Sequence, residues 1–197
     1  MRLVSSRLLL GIVLGLAAVA PASASVHGGG SFAQATSLSD AGWKNFVGQS
    51  SGKVFNRTGL TLAGQPRERA AFLTIEPRDA VNWYAGLASD LARLPVGVSA
   101  DRIRLRGRIA VSKPGPVIVR LESSIGHWLG FAFTASANEE WLAFDWPLSE
   151  AVSQGRFDLN AEKLRLVVTF RDTTGPVWTS AGENTLYVAE ASVIVQP

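Results

Sequence analysis

Gly48-Gln49-Ser50-Ser51-Gly52 has the G-x-S-x-G spacing of a serine nucleophile, and His27-Gly28-Gly29-Gly30 has the form of an oxyanion loop. That chemistry needs a strand, a sharp turn and a helix behind the serine, so that its hydroxyl is presented and the helix dipole assists. Lys53-Val54-Phe55 follows instead and reads as a strand, and no parallel α/β sheet can be built from the pattern around it. Glu139, Glu140 and Asp145 invite comparison with the two carboxylates of a glycosidase. However, Glu139-Glu140 follow Ala135-Ser136-Ala137-Asn138, which reads as a hairpin turn, and Glu140 and Asp145 have opposite parity on a regular strand, so they face opposite sides. His127 is the one histidine beyond the N-terminal leader and has no partner at ligand spacing, so zinc is not indicated. The chain has no cysteine, which excludes disulfides, thiolate metal sites, a thiol nucleophile and a lipid anchor. No catalytic residue is assigned.

Binding is better served. Six tryptophans are many for 197 residues, and flat aromatic rings ringed by polar groups are what sugar recognition requires. Trp128 is out of phase with Leu129, Phe131 and Phe133, and its same-face neighbours Gly130 and Ala132 are small, which predicts an open shelf beside the indole. Trp141 is opposite in parity to Leu142, Phe144 and Trp146, and Tyr84 to Val81, Trp83 and Ala85. Trp178 lies among turn residues and has no assignable side. Arg102, Arg104, Arg106 and Arg108 alternate along one strand, with Arg120 expected on the neighbouring strand. Such a row would grip carboxylates or sulfates bidentately, or would be a solvated face paired with carboxylates such as Glu122. The candidate ligand-binding residues are therefore Trp128, Trp141, Tyr84, Arg104, Arg106 and Arg120.

The elements that must position these residues are strands. Period two is clearest in Arg102 to Val111, and it returns in Val117 to Ser123, in Leu129-Phe131-Phe133, in Leu142-Phe144-Trp146 and in Leu164-Leu166-Val168-Phe170. Pro114-Gly115-Pro116 suggests a hairpin between the first two of these. Earlier strands are expected at Lys53–Asn56, Ala70–Glu76 and Val81–Ala85, and a last one from Thr185 to Val195, about nine in all. Helix is expected only at Leu87 to Leu94 and Leu148 to Gln154, too short for βαβ crossovers. Many short strands with Gly/Pro turns predict an all-β, jelly-roll β-sandwich.

Arg104-Leu105-Arg106-Gly107-Arg108-Ile109, Trp141-Leu142-Ala143-Phe144-Asp145-Trp146-Pro147-Leu148, Lys163 to Phe170 and Gly182 to Ala191 together resemble the galactose-binding-domain-like jelly rolls. They resemble above all the carbohydrate-binding modules of secreted glycan-degrading enzymes, over about residues 43 to 195. The resemblance implies non-catalytic glycan binding, and a structural calcium near an acidic residue of the closing strand. In this chain Ala189-Glu190 stand at that place and the usual aspartate is missing.

Arg2 and Arg7 precede an uncharged apolar run from Leu8 to Ala20, followed by Pro21 and Ala22-Ser23-Ala24. This predicts a signal peptide over 1–24, cleaved after Ala24, and a secreted or periplasmic chain. The run is short for a membrane span and no second one follows. Residues 25–42, rich in Gly, Ser and Ala, read as a flexible leader, and 43–197 as the β-sandwich domain. Removing the signal takes two of 19 basic and none of 16 acidic residues, leaving a balance of +1, so the whole-chain pI of about 9.7 gives no ground for a nucleic-acid partner. The expected partner is a polysaccharide or oligosaccharide, acidic ones included. The alternatives are a protein-interaction or structural module that meets another envelope protein, and, third, a small β-sandwich glycoside hydrolase or lyase.

Overall fold

The computed structural model describes residues 24–49, 53–78, 83–136, 139–171 and 183–197. The expected signal peptide apart from Ala24, and also Ser50–Gly52, Val81, Ala137, Asn138, Trp178 and Gly182, lie outside these residues.

Alternation of apolar and polar side chains builds nearly every element. Among the described residues, twelve strands follow in order: β1 (Ser25–Ser31), β2 (Trp43–Gln49), β3 (Lys53–Ala63), β4 (Glu68–Arg78), β5 (Trp83–Asp90), β6 (Ile103–Val111), β7 (Gly115–Ser124), β8 (His127–Ala135), β9 (Leu142–Pro147), β10 (Val152–Gln154), β11 (Arg165–Arg171) and β12 (Asn184–Val195). They form two antiparallel sheets, β3-β4-β12-β6-β9 with β1 added along β12, and β10-β8-β7-β11-β5-β2. The result is a jelly-roll β-sandwich. Two 3₁₀ turns, Ala100–Arg102 and Leu148–Glu150, are the helical content among the described residues.

The core lies between the sheets. Ile103, Leu105 and Ile109 of β6, Leu73 and Ile75 of β4, and Leu186, Val188 and Val193 of β12 meet Val117, Val119 and Leu121 of β7 and Leu166, Val168 and Phe170 of β11. All are essentially without solvent contact, and a large-to-small change at any one of them would cost about 2–5 kcal/mol. The alternate positions point outward. These two outward faces carry the candidate ligand residues.

Several expectations are corrected here. Residues 25–31 do not form a flexible leader: β1 pairs with β12 from Ser25↔Val195 to Ser31↔Glu190, and Phe32 behind it is fully buried against Trp43. The glycines serve close packing. Gly29 sits at φ +76°, and a Cβ there would meet the Ala191 carbonyl oxygen at 1.9 Å. The histidine-glycine tract is thus a strand of the first sheet. Leu87 to Leu94 is not helical, because β5 runs through Asp90 between β11 and β2, and that pairing overrides local helix preference. Leu148 to Gln154 is a 3₁₀ turn followed by a short strand.

Neither predicted hairpin forms: β6 and β7 lie in different sheets, as do β8 and β9. At both places the chain crosses between layers, so residues close in sequence diverge to opposite faces. This matters most for the arginines.

Candidate functional site

The outward face of the first sheet holds Arg104 and Arg106 on β6. Arg104 donates from Nε to Asp145 Oδ1 at 2.5 Å and from Nη2 to the Asp145 carbonyl at 2.6 Å. Arg106 closes on Asp145 Oδ2 from Nε at 3.1 Å and from Nη2 at 2.8 Å. The β6–β9 register puts Asp145 directly across from Arg106. Partial burial pushes the Asp145 carboxyl up, but the hydrogen bonds and charges of Arg104 and Arg106 outweigh it and hold the group below its usual value of 3.8.

Arg108 bonds Glu190 from Nε at 3.1 Å and Glu68 from Nη1 at 2.7 Å, and Arg102 donates to the Gln196 carbonyl. The arginine row is therefore tied to the protein along its length. Glu122, the partner expected from sequence, lies on the other sheet. The same observation bears on calcium. Glu190 and Glu68 already neutralise a guanidinium, and among the described residues no group of three or more His, Asp or Glu could hold a metal, so the residues at that place do not fit the ion.

Trp141 also belongs to the first sheet's surroundings. Its Nε1 donates to the Pro66 carbonyl at 2.9 Å, and its indole lies against Gly64 and over Ala63, Ala70 and Ala189, beside Tyr187. Tyr187 in turn donates to Glu139 Oε1 at 3.1 Å. Glu139 and Asp145 are thus engaged with different partners.

The outward face of the second sheet differs. Cross-strand register aligns Gln154 of β10 with Trp128 of β8, Trp128 with Glu122 of β7, Glu122 with Arg165 of β11, and Arg165 with Asp90 of β5. With strands about 4.8 Å apart, this row spans roughly 19 Å, room for more than one sugar ring. Six residues back along β5 from Asp90, Tyr84 stands beside Phe46 of β2, with ring centroids 6.1 Å apart at 48°. The outward positions between them, Ala88, Val167, Thr169 and Ile118, are buried. Phe46, Tyr84, Arg120, Glu122, Trp128, Gln154 and Arg165 enclose a cavity of about 270 Å³.

Three of the six residues expected to bind ligand, Trp128, Tyr84 and Arg120, are therefore brought together. Arg104, Arg106 and Trp141 are on the far side of the sandwich. Within the groove the roles change. The open shelf beside Trp128 is filled, because Arg120 stands across from Gly130 so closely that a Cβ on that glycine would meet Arg120 Cβ at 2.4 Å. The Arg120 guanidinium lies 5.4 Å from the Trp128 ring centroid, and Trp128 is only 6% exposed. Among the described residues its buried Nε1–H has no hydrogen-bond partner.

The open ring is Tyr84. It lies across Gly48 of β2, where a Cβ would meet Tyr84 Cζ at 2.1 Å and Oη at 2.4 Å, so the bare backbone of the neighbouring strand lets the ring lie flat on the sheet. Glu122, whose side chain is 5% exposed, holds two cations: Oε1 accepts from Arg165 Nη2 at 3.1 Å, and Oε2 is 3.5 Å from Arg120 Nη2. Sequence reasoning missed Phe46, Gln154 and Arg165. The alternation Trp43-Lys44-Asn45-Phe46-Val47 does carry the signal for Phe46, since Trp43 and Val47 pack inward.

A second cavity of about 810 Å³ continues from this one past Ile125 and Arg165, lined also by Lys44, Asp90, His127 and Lys163. Lys44 Nζ bonds Asp90 there at 2.8 Å. His127 Nδ1 accepts from the Arg156 backbone N–H at 2.6 Å, so this histidine is held structurally. No helix among the described residues is long and apolar enough to cross a membrane.

No family model and no curated protein matches the chain. Among solved structures, it is similar to a family 11 carbohydrate-binding module from Clostridium thermocellum in complex with a beta-1,3-1,4-mixed-linked tetrasaccharide, with TM-score 0.50 and 12% identity over 87% of this chain and 97% of that one. It is also similar to part of an exo-beta-agarase structure, with TM-score 0.57 and 8% identity over 87% of this chain and 26% of that chain. At these identities the likeness is one of fold: the chain shares the jelly-roll β-sandwich of carbohydrate-binding modules.

Proposed function

We propose that the chain is an exported, non-catalytic carbohydrate-binding domain whose glycan lies in the groove on the outward face of the second sheet. One observation carries this reading. Tyr84 and Phe46 form an aromatic wall facing a polar set of Arg120, Glu122, Gln154 and Arg165 across one cavity, which joins a stacking surface to hydroxyl-directed donors and acceptors. Trp128 braces Arg120, and the adjoining cavity offers further room along the groove.

The acids support the non-catalytic reading. Among the described residues lining the cavity, Glu122 is the one carboxylate, and it is committed to two guanidiniums, whereas glycoside hydrolysis requires two carboxyl groups flanking the bond. Export rests on the apolar N-terminal run and Ala22-Ser23-Ala24.

The test is titration of the purified protein with a panel of neutral and acidic oligosaccharides, followed by tryptophan fluorescence and calorimetry. Saturable binding by one of them, weakened about tenfold in Tyr84→Ala and unchanged in Trp141→Ala, is the expected result. A flat response across the panel, or equal sensitivity to both substitutions, would overturn the assignment of this groove.

A further inference from the structure

Resting on the reading of the groove as a glycan site, we propose that its ligand carries a negative charge on the sugar, a uronate carboxylate or a sulfate ester, and that Arg165 receives it. The groove contains two guanidiniums and one carboxylate. Arg120 and Arg165 share Glu122, one on each oxygen, so one carboxylate is divided between two guanidiniums. On the opposite face Asp145 is likewise shared by Arg104 and Arg106, but it also gives Arg104 its backbone carbonyl, and Arg108 has two carboxylates.

The two groove arginines are not equivalent. The Arg120 side chain is 9% exposed and is spent on Glu122 and on the face of Trp128, so it positions the other groups. Arg165 is 32% exposed. Its guanidinium is fixed through Nη2 to the buried Glu122, and the side chain lines the cavity, which leaves the other N–H donors of the fork for solvent or a ligand. A fork anchored on one edge and open on the other suits a planar carboxylate or a sulfate, which accept parallel N–H bonds from arginine. The adjoining cavity that Arg165 also borders carries Lys44 and Lys163 against Asp90 and Glu162, with Lys44 bonded to Asp90, so the charge there is balanced and Arg165 is the group that distinguishes the groove. A neutral glycan needs none of this charge, and a partly dehydrated guanidinium facing only hydroxyls would be poorly compensated.

The experiment is calorimetric titration of the purified protein with three oligosaccharides of similar length: a neutral β-glucan, an oligogalacturonate and a sulfated galactan. The expected result is that one acidic probe binds about tenfold or more tightly than the neutral one. Arg165→Gln should lower that affinity about tenfold or more, the loss expected for a hydrogen-bonded charge pair, while neutral binding changes less than twofold. Arg57→Gln, on the first sheet and paired with Glu183, should change neither. The carboxylate and sulfate probes separate the two sources of charge.

If the neutral probe binds as tightly as the acidic ones, or Arg165→Gln leaves acidic binding intact, the charge assignment is overturned and the glycan reading stands. If Arg57→Gln weakens acidic binding as much as Arg165→Gln, the attraction is diffuse and the assigned site is wrong. If no probe binds, the glycan reading falls with it. Should Arg165→Gln unfold more easily than the wild type, Arg165→Lys keeps the charge without the planar fork, and it should still bind the acidic probe less tightly than wild type.

Discussion

The two outward faces of the sandwich are built from the same residue types and reach opposite ends. On the first sheet, arginines, acids and aromatics settle one another: Asp145 bridges Arg104 and Arg106, Arg108 bridges Glu68 and Glu190, and Trp141 seals a small cluster of alanines. On the second sheet, a single buried carboxylate serves two arginines, and an aromatic pair stands apart from them across a cavity. The difference is one of balance and of relief. Where donors and acceptors match and small residues are covered by an indole, the face is finished. Where one buried carboxylate serves two arginines and Gly48 lets a ring lie flat, the face keeps an open groove, the one proposed to hold the glycan.

The sharpest way to break this contrast is to remove the central acid of each face. Glu122→Ala leaves two guanidiniums facing one another in a largely buried setting and should cost about 3–5 kcal/mol in urea unfolding. Asp145→Ala removes a carboxylate that is 40% exposed, where arginines can turn to water, and should cost no more than about 1 kcal/mol. Equal losses would mean that the two faces are not energetically distinct.

The aromatic residues give the next test, since stability and binding should separate. Trp141→Ala uncovers Ala63, Ala70 and Ala189 and deletes the bond to Pro66, which should lower stability by about 3 kcal/mol and leave glycan affinity unchanged. Tyr84→Ala should do the reverse, losing about tenfold in affinity with a smaller loss of stability. A milder version is Gly48→Ala, whose methyl would displace the Tyr84 ring; it should weaken binding severalfold by titration without altering the groove's charges.

Much of the fold was legible because parity along one strand depends only on that strand. Ile103, Leu105 and Ile109 point inward as their alternation with arginine predicts, and Trp128 points outward as its phase against Leu129 and Phe131 predicts. Parity does not say which sheet a strand joins. Arg120 was expected beside Arg104 and Arg106 and stands on the opposite face, because β6 and β7 part company at Ser112 to Pro114. Cross-strand register is likewise a tertiary property: the residue that fills the space over Gly130 is Arg120, and nothing near Gly130 in the chain announces it. β1 was missed for a related reason. Its three glycines carry no side-chain period, and they join a strand through pairing with β12, which comes close enough at Gly29 to exclude a Cβ.

The smallest effect concerns acid. Asp145 is held below its usual value of 3.8 in the folded protein, so the folded state binds fewer protons there than the unfolded one. Its stabilising contribution is complete above 3.8 and is lost as pH falls through the depressed folded value. The difference in unfolding free energy between wild type and Asp145→Asn should therefore be constant at neutral and mildly acidic pH, no more than about 1 kcal/mol for so exposed a group, and should close below 3.8. Arg104 and Arg106 stay charged throughout, so the closing reports the carboxyl alone. If the gap instead persists unchanged into strong acid, Asp145 contributes through packing or its backbone carbonyl bond to Arg104, and the first face owes its finished state to shape rather than to charge.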